Sequence, residues 1–258
     1  MNSEKSVKRA RTPVLFSWSG GKDSAMALHR VLQSEQYEVV ALLTTINGHF
    51  KRVSMHGVRE ELVDAQAASI GLPLEKMFVS ERSTNEEYGE RMREILLRYK
   101  ARGVEHVVFG DIFLADLRAW REANLAQVGM QAIFPLWRED TTQLVNEFHA
   151  LGFRAVICCA NDAYLGEQHA GAELDATCVR GLPAGVDPCG ENGEYHSFVF
   201  AGPIFKAPIP IVVGEKIYRP LEETHPGVDA ATLGDAAARP VTRGFWFCDL
   251  VEGGAPSA

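Results

Sequence analysis

Ser19-Gly20-Gly21-Lys22-Asp23-Ser24 brings two glycines, two hydroxyls, a carboxylate and an ammonium into one short stretch. Such a set binds anions. Adjacent glycines allow positive φ and leave no Cβ in the way, so successive backbone N–H groups can converge on phosphate oxygens, and Lys22 adds a full positive charge. The apolar run before it, Pro13 to Trp18, reads as a buried strand, and Ala25, Met26, Leu28, Val31 and Leu32 after it recur at helical spacing. A strand therefore turns into a helix here, with Asp23 or Ser24 expected as N-cap and the helix dipole reinforcing the pocket. Two familiar phosphate loops do not fit. There is no G-x-x-x-x-G-K-[ST] sequence, and the dinucleotide fingerprint needs a third glycine where this chain has Ser24. The pocket points to ATP.

Four more polar segments fall at expected strand ends or loops. Thr44, in Leu42 to Asn47, lies where a strand edge could offer backbone groups to an adenine ring, with simple β-propensity as the alternative. Ser54 to Arg59 is read as opening a helix: the dipole there keeps His56 neutral, and Arg59 offers a fork to phosphate or carboxylate, capping and a solvated arginine being the alternative. Gly110 permits close approach, Asp111 is placed to hold Mg2+ or a ribose hydroxyl unless it merely caps, and Arg118 follows on the next helix. The last segment, Gly185 to His196, gathers Glu191, Glu194 and His196 as acid–base candidates, with turn chemistry as the competing explanation. Cys189 in that segment has no base beside it in sequence and is left without a role.

These residues need a scaffold, and 258 residues suffice for roughly two domains. From 13 to 136 strands expected at 13–18, 38–46, 74–79, 106–110 and 131–136 alternate with helices near 23–35, 56–70, 85–102 and 115–128. That alternation makes the fold α/β, a parallel sheet with helices on both faces whose ligands collect at the strand carboxyl ends. A smaller α+β domain is expected over 137–250, with a helix at 140–151 and strands at 153–159, 194–200, 209–218 and 243–250. Residues 1–12 and 251–258 read as disordered tails and 219–240 as a long surface loop.

Composition narrows the class. No apolar run approaches a membrane span or signal peptide, and five cysteines without paired spacing argue against disulfides and zinc and for a reducing, cytoplasmic setting. The net charge of −8 disfavours nucleic acid as a partner without excluding a local basic patch.

The glycine loop resembles the pyrophosphate-binding (PP) loop of the N-type ATP pyrophosphatases. More widely, the chain resembles the diphthine–ammonia ligase family, through Trp18 to Ser24, Met55 to Arg59 with Gly71-Leu72-Pro73, Gly110 to Arg118 with Phe134 to Trp137, and Gly185 to His196 with Gly202 to Phe205. The resemblance implies a Rossmann-like (HUP-type) ATP domain, conversion of ATP to AMP and pyrophosphate, and amidation of a modified histidine on a translation elongation factor, with free ammonium as donor. Lys22, Asp23, Asp111, Glu191, Glu194 and His196 are then expected to be catalytic. Ser19, Gly20, Gly21, Ser24, Thr44, His56, Arg59, Gly110 and Arg118 are expected to bind nucleotide alongside Lys22 and Asp23, and Asp23 and Asp111 to hold Mg2+. A homodimer is left open. Two rivals are a PP-loop enzyme activating another acceptor, such as a tRNA base or metabolite acid, and a nucleotide-binding regulatory module without turnover.

Overall fold

The computed structural model describes residues 10–80, 84–221 and 240–253. Most of both expected tails and of the 219–240 loop lie outside them.

The first sheet contains β1 (Thr12–Ser17), β2 (Tyr37–Asn47), β3 (Arg52–Val53), β4 (Leu74–Val79), β5 (His106–Val108) and β6 (Gln131–Ile133). Its path is β3-β2-β1-β5-β6, with β4 parallel to β2 and β3 antiparallel to it. Helices α1 (Lys22–Gln33), α2 (Glu60–Ile70), α3 (Asn85–Lys100) and α4 (Ala115–Gln127) connect the strands. Alternate residues of β1 show why both faces are covered. Val14 and Phe16 enter a core with α1 and α2, while Leu15 enters a second core with α3 and α4. Because β2 and β5 both pair with β1 in parallel, the chain reverses its direction of travel across the sheet there. A crevice results at the carboxyl end of β1, where the glycine loop lies.

After α5 (Thr141–Ala150), capped by the Asp140 carboxylate, β7 (Arg154–Asn161) opens a second sheet. The short α6 (Ala176–Arg180) precedes β8 (Tyr195–Ala201), β9 (Ile211–Pro220) and β10 (Gly244–Glu252), and the antiparallel order is β8-β7-β10-β9. The two sheets share one core: Phe16, Leu28 and Leu62 belong to the same apolar cluster as Phe148, Ile157 and Phe198. Each such fully buried side chain contributes roughly 1.5–3 kcal/mol. The β8 edge runs along the glycine loop, with Val199 N–H donating to the Gly20 carbonyl at 2.9 Å.

Several expectations are corrected. Helix α2 starts at Glu60, not 56, because Met55 (φ 66°) and Gly57 (φ 67°) hold Ser54 to His56 in a turn and Arg59 is bridged to Arg52 in extended form. Strand β9 reaches Pro220, into the stretch read as loop. The two-residue β3 and five-residue α6 were not expected, being too short for a periodic signal.

Candidate active site

The glycine loop is built by its surroundings. Gly20 has φ 79°, which a side chain would resist, but Gly21 is extended and its need is space: a Cβ there would lie 3.0 Å from the Ser197 carbonyl and 3.1 Å from His56 Nε2. Gly21 itself is the N-cap of α1, without a side-chain cap. Asp23 and Ser24 are therefore inside the first turn rather than capping it. Ser24 Oγ donates to the Gly21 carbonyl at 2.9 Å and Ser19 Oγ to Ser24 Oγ at 3.1 Å, while Gly21 N–H donates to Ser19 Oγ. Gly110 also lies close by, but what approaches it is protein: a Cβ there would be 2.9 Å from Asp23 C and Ser24 N.

Lys22 is buried, and its ammonium donates to both Asp23 oxygens, at 2.7 and 2.8 Å, and to the Cys189 carbonyl. Burial opposes its charge most strongly, yet the neighbouring acidic groups, Asp23 first, together outweigh this and raise its pKa, so Lys22 is a fixed cation. Asp23 is itself pushed up by burial against the pull of Lys22, with Asp187 and Asp111 as further neighbouring negative charges. Asp111 makes a bidentate pair with Arg121 at 2.6 and 3.1 Å.

The loop from Gly185 to His196 closes on Lys22 from the second sheet. Glu194, buried, accepts from Asp187 N–H, Asn192 N–H and the Asn192 amide, so it braces the loop. Glu191 instead reaches across to accept from Ile112 and Phe113 N–H, at 2.7 and 3.2 Å. Burial, then the charge of Asp23, pushes its pKa up to about 7, where a carboxyl exchanges protons at neutral pH. The Cys189 thiol donates to the Thr141 carbonyl and is pushed up to about 12 by burial, which leaves it protonated and structural.

His56 and His196 lie side by side, ring centroids 4.6 Å apart. Burial lowers their pKa values to about 4 and about 3, with Lys22 and, for His196, His56 adding to the effect. His56 is thus kept neutral by burial rather than by a helix dipole. Its Nδ1 has no hydrogen-bond partner among the described residues, and neither has the buried Thr44 hydroxyl on β2.

The structure gathers Ser19 to Ser24, His56, Gly110, Asp111, Glu191 and His196 around the β1 turn, but not Arg59 or Arg118. Arg59 forks onto Asp249 of β10 at 3.0 and 2.7 Å, together with Arg52. Arg118 bonds Glu122 and lies over the Phe134 and Trp137 rings.

One positioning residue escaped the sequence reading. Gln66, fully buried on α2, accepts from Trp18 Nε1 at 3.0 Å and donates to the carbonyls of Gly20 (3.0 Å) and Val199 (2.6 Å), tying the loop to β8. Its signal was an amide in the apolar stripe Leu62, Val63, Ala67.

Profiles of known families match the chain twice, the diphthamide synthase N-terminal domain over residues 11–132 and the diphthamide synthase C-terminal domain over 140–224. Among curated proteins, the diphthine–ammonia ligase of Danio rerio is 29% identical over 228 residues, 77% of this chain and 86% of the relative. That of Rattus norvegicus is 27% identical over 77% and 82%, and that of Homo sapiens 27% over 74% and 79%. Among solved structures, a U34-tRNA thiolase from Methanococcus maripaludis aligns with 57% of this chain and 59% of its own at TM-score 0.33 and 16% identity.

Proposed function

Since the chain belongs to the diphthine–ammonia ligase family, a family of ATP-dependent ligases, we propose that it adenylates a carboxylate on the modified histidine of a translation elongation factor and amidates it with ammonium. The observation that carries this is the double engagement of Lys22, whose side chain belongs to the phosphate-type turn and bonds the acid-bearing loop of the second sheet. Phosphate and acid–base chemistry then share one pocket.

Ammonia does not displace oxide from a carboxylate, so the carboxylate is first made a better acyl donor. Its oxygen attacks the α-phosphorus, and the bond to the β-phosphate breaks. The N–H groups of the Ser19–Ser24 turn and the fixed charge of Lys22 take up the charge of the departing pyrophosphate. Ammonia then attacks the acyl carbon and AMP leaves. Ammonium must lose a proton to become nucleophilic, and the new C–N bond a second one. Glu191, poised near neutrality, is the proton acceptor within the pocket, while the neutral imidazoles of His56 and His196, which resist protonation, can only form hydrogen bonds there. Glu194 acts by holding the loop that presents Glu191. The orphaned Thr44 hydroxyl suits an adenine or ribose contact.

The expected Mg2+ ligands do not fit the ion as they stand, because Lys22 holds both Asp23 oxygens and Arg121 both Asp111 oxygens, and no group of three His, Cys, Asp or Glu side chains among the described residues is placed to hold a metal.

Product analysis with Mg-ATP and ammonium, with and without a diphthine-bearing elongation factor, tests the assignment. AMP and pyrophosphate are expected only with that acceptor. AMP without it would reopen the acceptor, and ADP or no turnover would overturn the ligase assignment.

A further inference from the structure

The face of the second sheet that carries His196 does not stop at the pocket. Direct antiparallel partners share a face, and the register runs from His196 of β8 to Cys159 of β7, Phe247 of β10 and Ile217 of β9. The neighbouring pair on that face is Phe245 with Arg219, whose guanidinium lies 5.7 Å from the Phe50 ring centroid. Phe247 also lies under the turn holding His56: a Cβ on Gly57 would be 2.7 Å from its ring. The outer part of this row is wet. Phe50 is 42% exposed and Ile217 37%, and Met55, beside His56, is 66% exposed in a left-handed conformation (φ 66°) that L-residues adopt at a cost of roughly 1–2 kcal/mol. An exposed apolar row continuous with a buried reactive pocket is the mark of a partner site.

We propose that this platform, formed by Phe247, Phe245, Ile217 and Phe50 with Met55 at its edge and Arg219 on its rim, docks the acceptor protein and delivers its carboxylate to the His56–His196 side of the pocket. The proposal rests on the amidation of a protein acceptor argued above. A protein is the occupant because a small acid would need only the pocket. Charge adds to this: Arg219 lies by the Phe50 ring, and Arg52 and Arg59 converge on Asp249 of β10, two positions beyond Phe247, in a chain whose total is −8. The docking surface of the acceptor is accordingly apolar at its centre and acidic at its border.

The test uses the full chain with diphthine-bearing elongation factor and follows AMP formation. Phe50→Glu with Ile217→Glu is expected to raise the acceptor KM at least tenfold, leaving kcat at saturation and the Kd for ATP within twofold of wild type. Leu97→Glu, equally exposed on α3 (42%), is expected to change none of these. If the double variant loses its thermal transition, Phe50→Ser and Met55→Ser take its place with the same expectation of a raised acceptor KM. An acceptor KM unchanged in folded platform variants would overturn the docking surface alone. A dimer that Ile217→Glu splits without moving that KM would assign the platform to a second copy and also overturn it. No AMP from the wild type with this acceptor would overturn the ligase assignment, and the docking with it, before any variant is made.

Discussion

The Ser19–Ser24 turn is shaped from outside, by Gln66, Ser197 and Val199 of other elements, whereas the Gly185–His196 loop is shaped largely from within, by Asp187 and Glu194 bonding its own backbone. They also differ in charge. The first presents N–H groups and a fixed cation; the second presents a carboxyl near neutrality beside neutral imidazoles. An anion site works best when its dipoles do not have to reorganise, and an external frame provides that. A loop that exchanges protons needs a group whose two states lie close in energy, and Glu191 has one because burial and Asp23 both oppose its charge.

The largest test of this contrast is removal of the cation. Lys22→Met is expected to lower kcat/KM for AMP formation by about 10³-fold with the fold retained by circular dichroism; turnover near wild type would break the assignment of the turn. Next comes Glu191→Gln, expected to cost about 10²-fold in kcat. Glu191 accepts a proton only as carboxylate, so wild-type rate should climb as pH rises through about 7, and the variant should lack that limb. Because the folded state keeps a proton that the unfolded state releases near 4.5, Glu191 lowers stability as pH rises from about 4.5 to about 7. At pH 8 the Gln variant should melt above the wild type. A pH–rate profile unchanged in the variant would remove Glu191 from proton transfer. The smallest effect on chemistry, though not on the fold, is expected of Gln66→Leu, which orphans an indole N–H and takes a donor from each of the Gly20 and Val199 carbonyls. A loss of about 2–4 kcal/mol in urea unfolding is expected, with the ATP KM raised more than the acceptor KM. Equal changes in both would mean that Gln66 frames the whole pocket rather than the turn.

Much of the first sheet could be read in advance because its signals are local: Val14 to Phe16 and Val107 to Val108 are short apolar runs, each followed by a helix with its own stripe. The shape of the glycine turn was legible for the same reason, since the strand before it, the two glycines and the helix after it are contiguous in sequence. His56 was misplaced because the left-handed residues on either side of it, Met55 and Gly57, delay α2, and nothing obliges a methionine to adopt that conformation except its neighbours. Arg59 looked like a phosphate ligand until Asp249, 190 positions away, supplied its partner. Gln66 and Ser197 are the same case. A residue that acts by bridging distant elements leaves only a faint mark in its own neighbourhood, here one amide in an apolar stripe.

Timing gives the union of the turn with β8 a further meaning. The Lys22 amide waits for the hydroxyl of a serine 175 residues downstream. At about 5–20 residues per second of synthesis, roughly ten to thirty-five seconds pass between the emergence of the glycines and that of the strand that fixes them. During that interval the α1 and α2 side of the first sheet has no second sheet against it, so the nascent chain presents an apolar face before its glycine turn is finished. Completion of the turn is therefore one of the last events in the life of the folding chain, and a ribosome stalled before β8 would carry the glycines without the strand that fixes them.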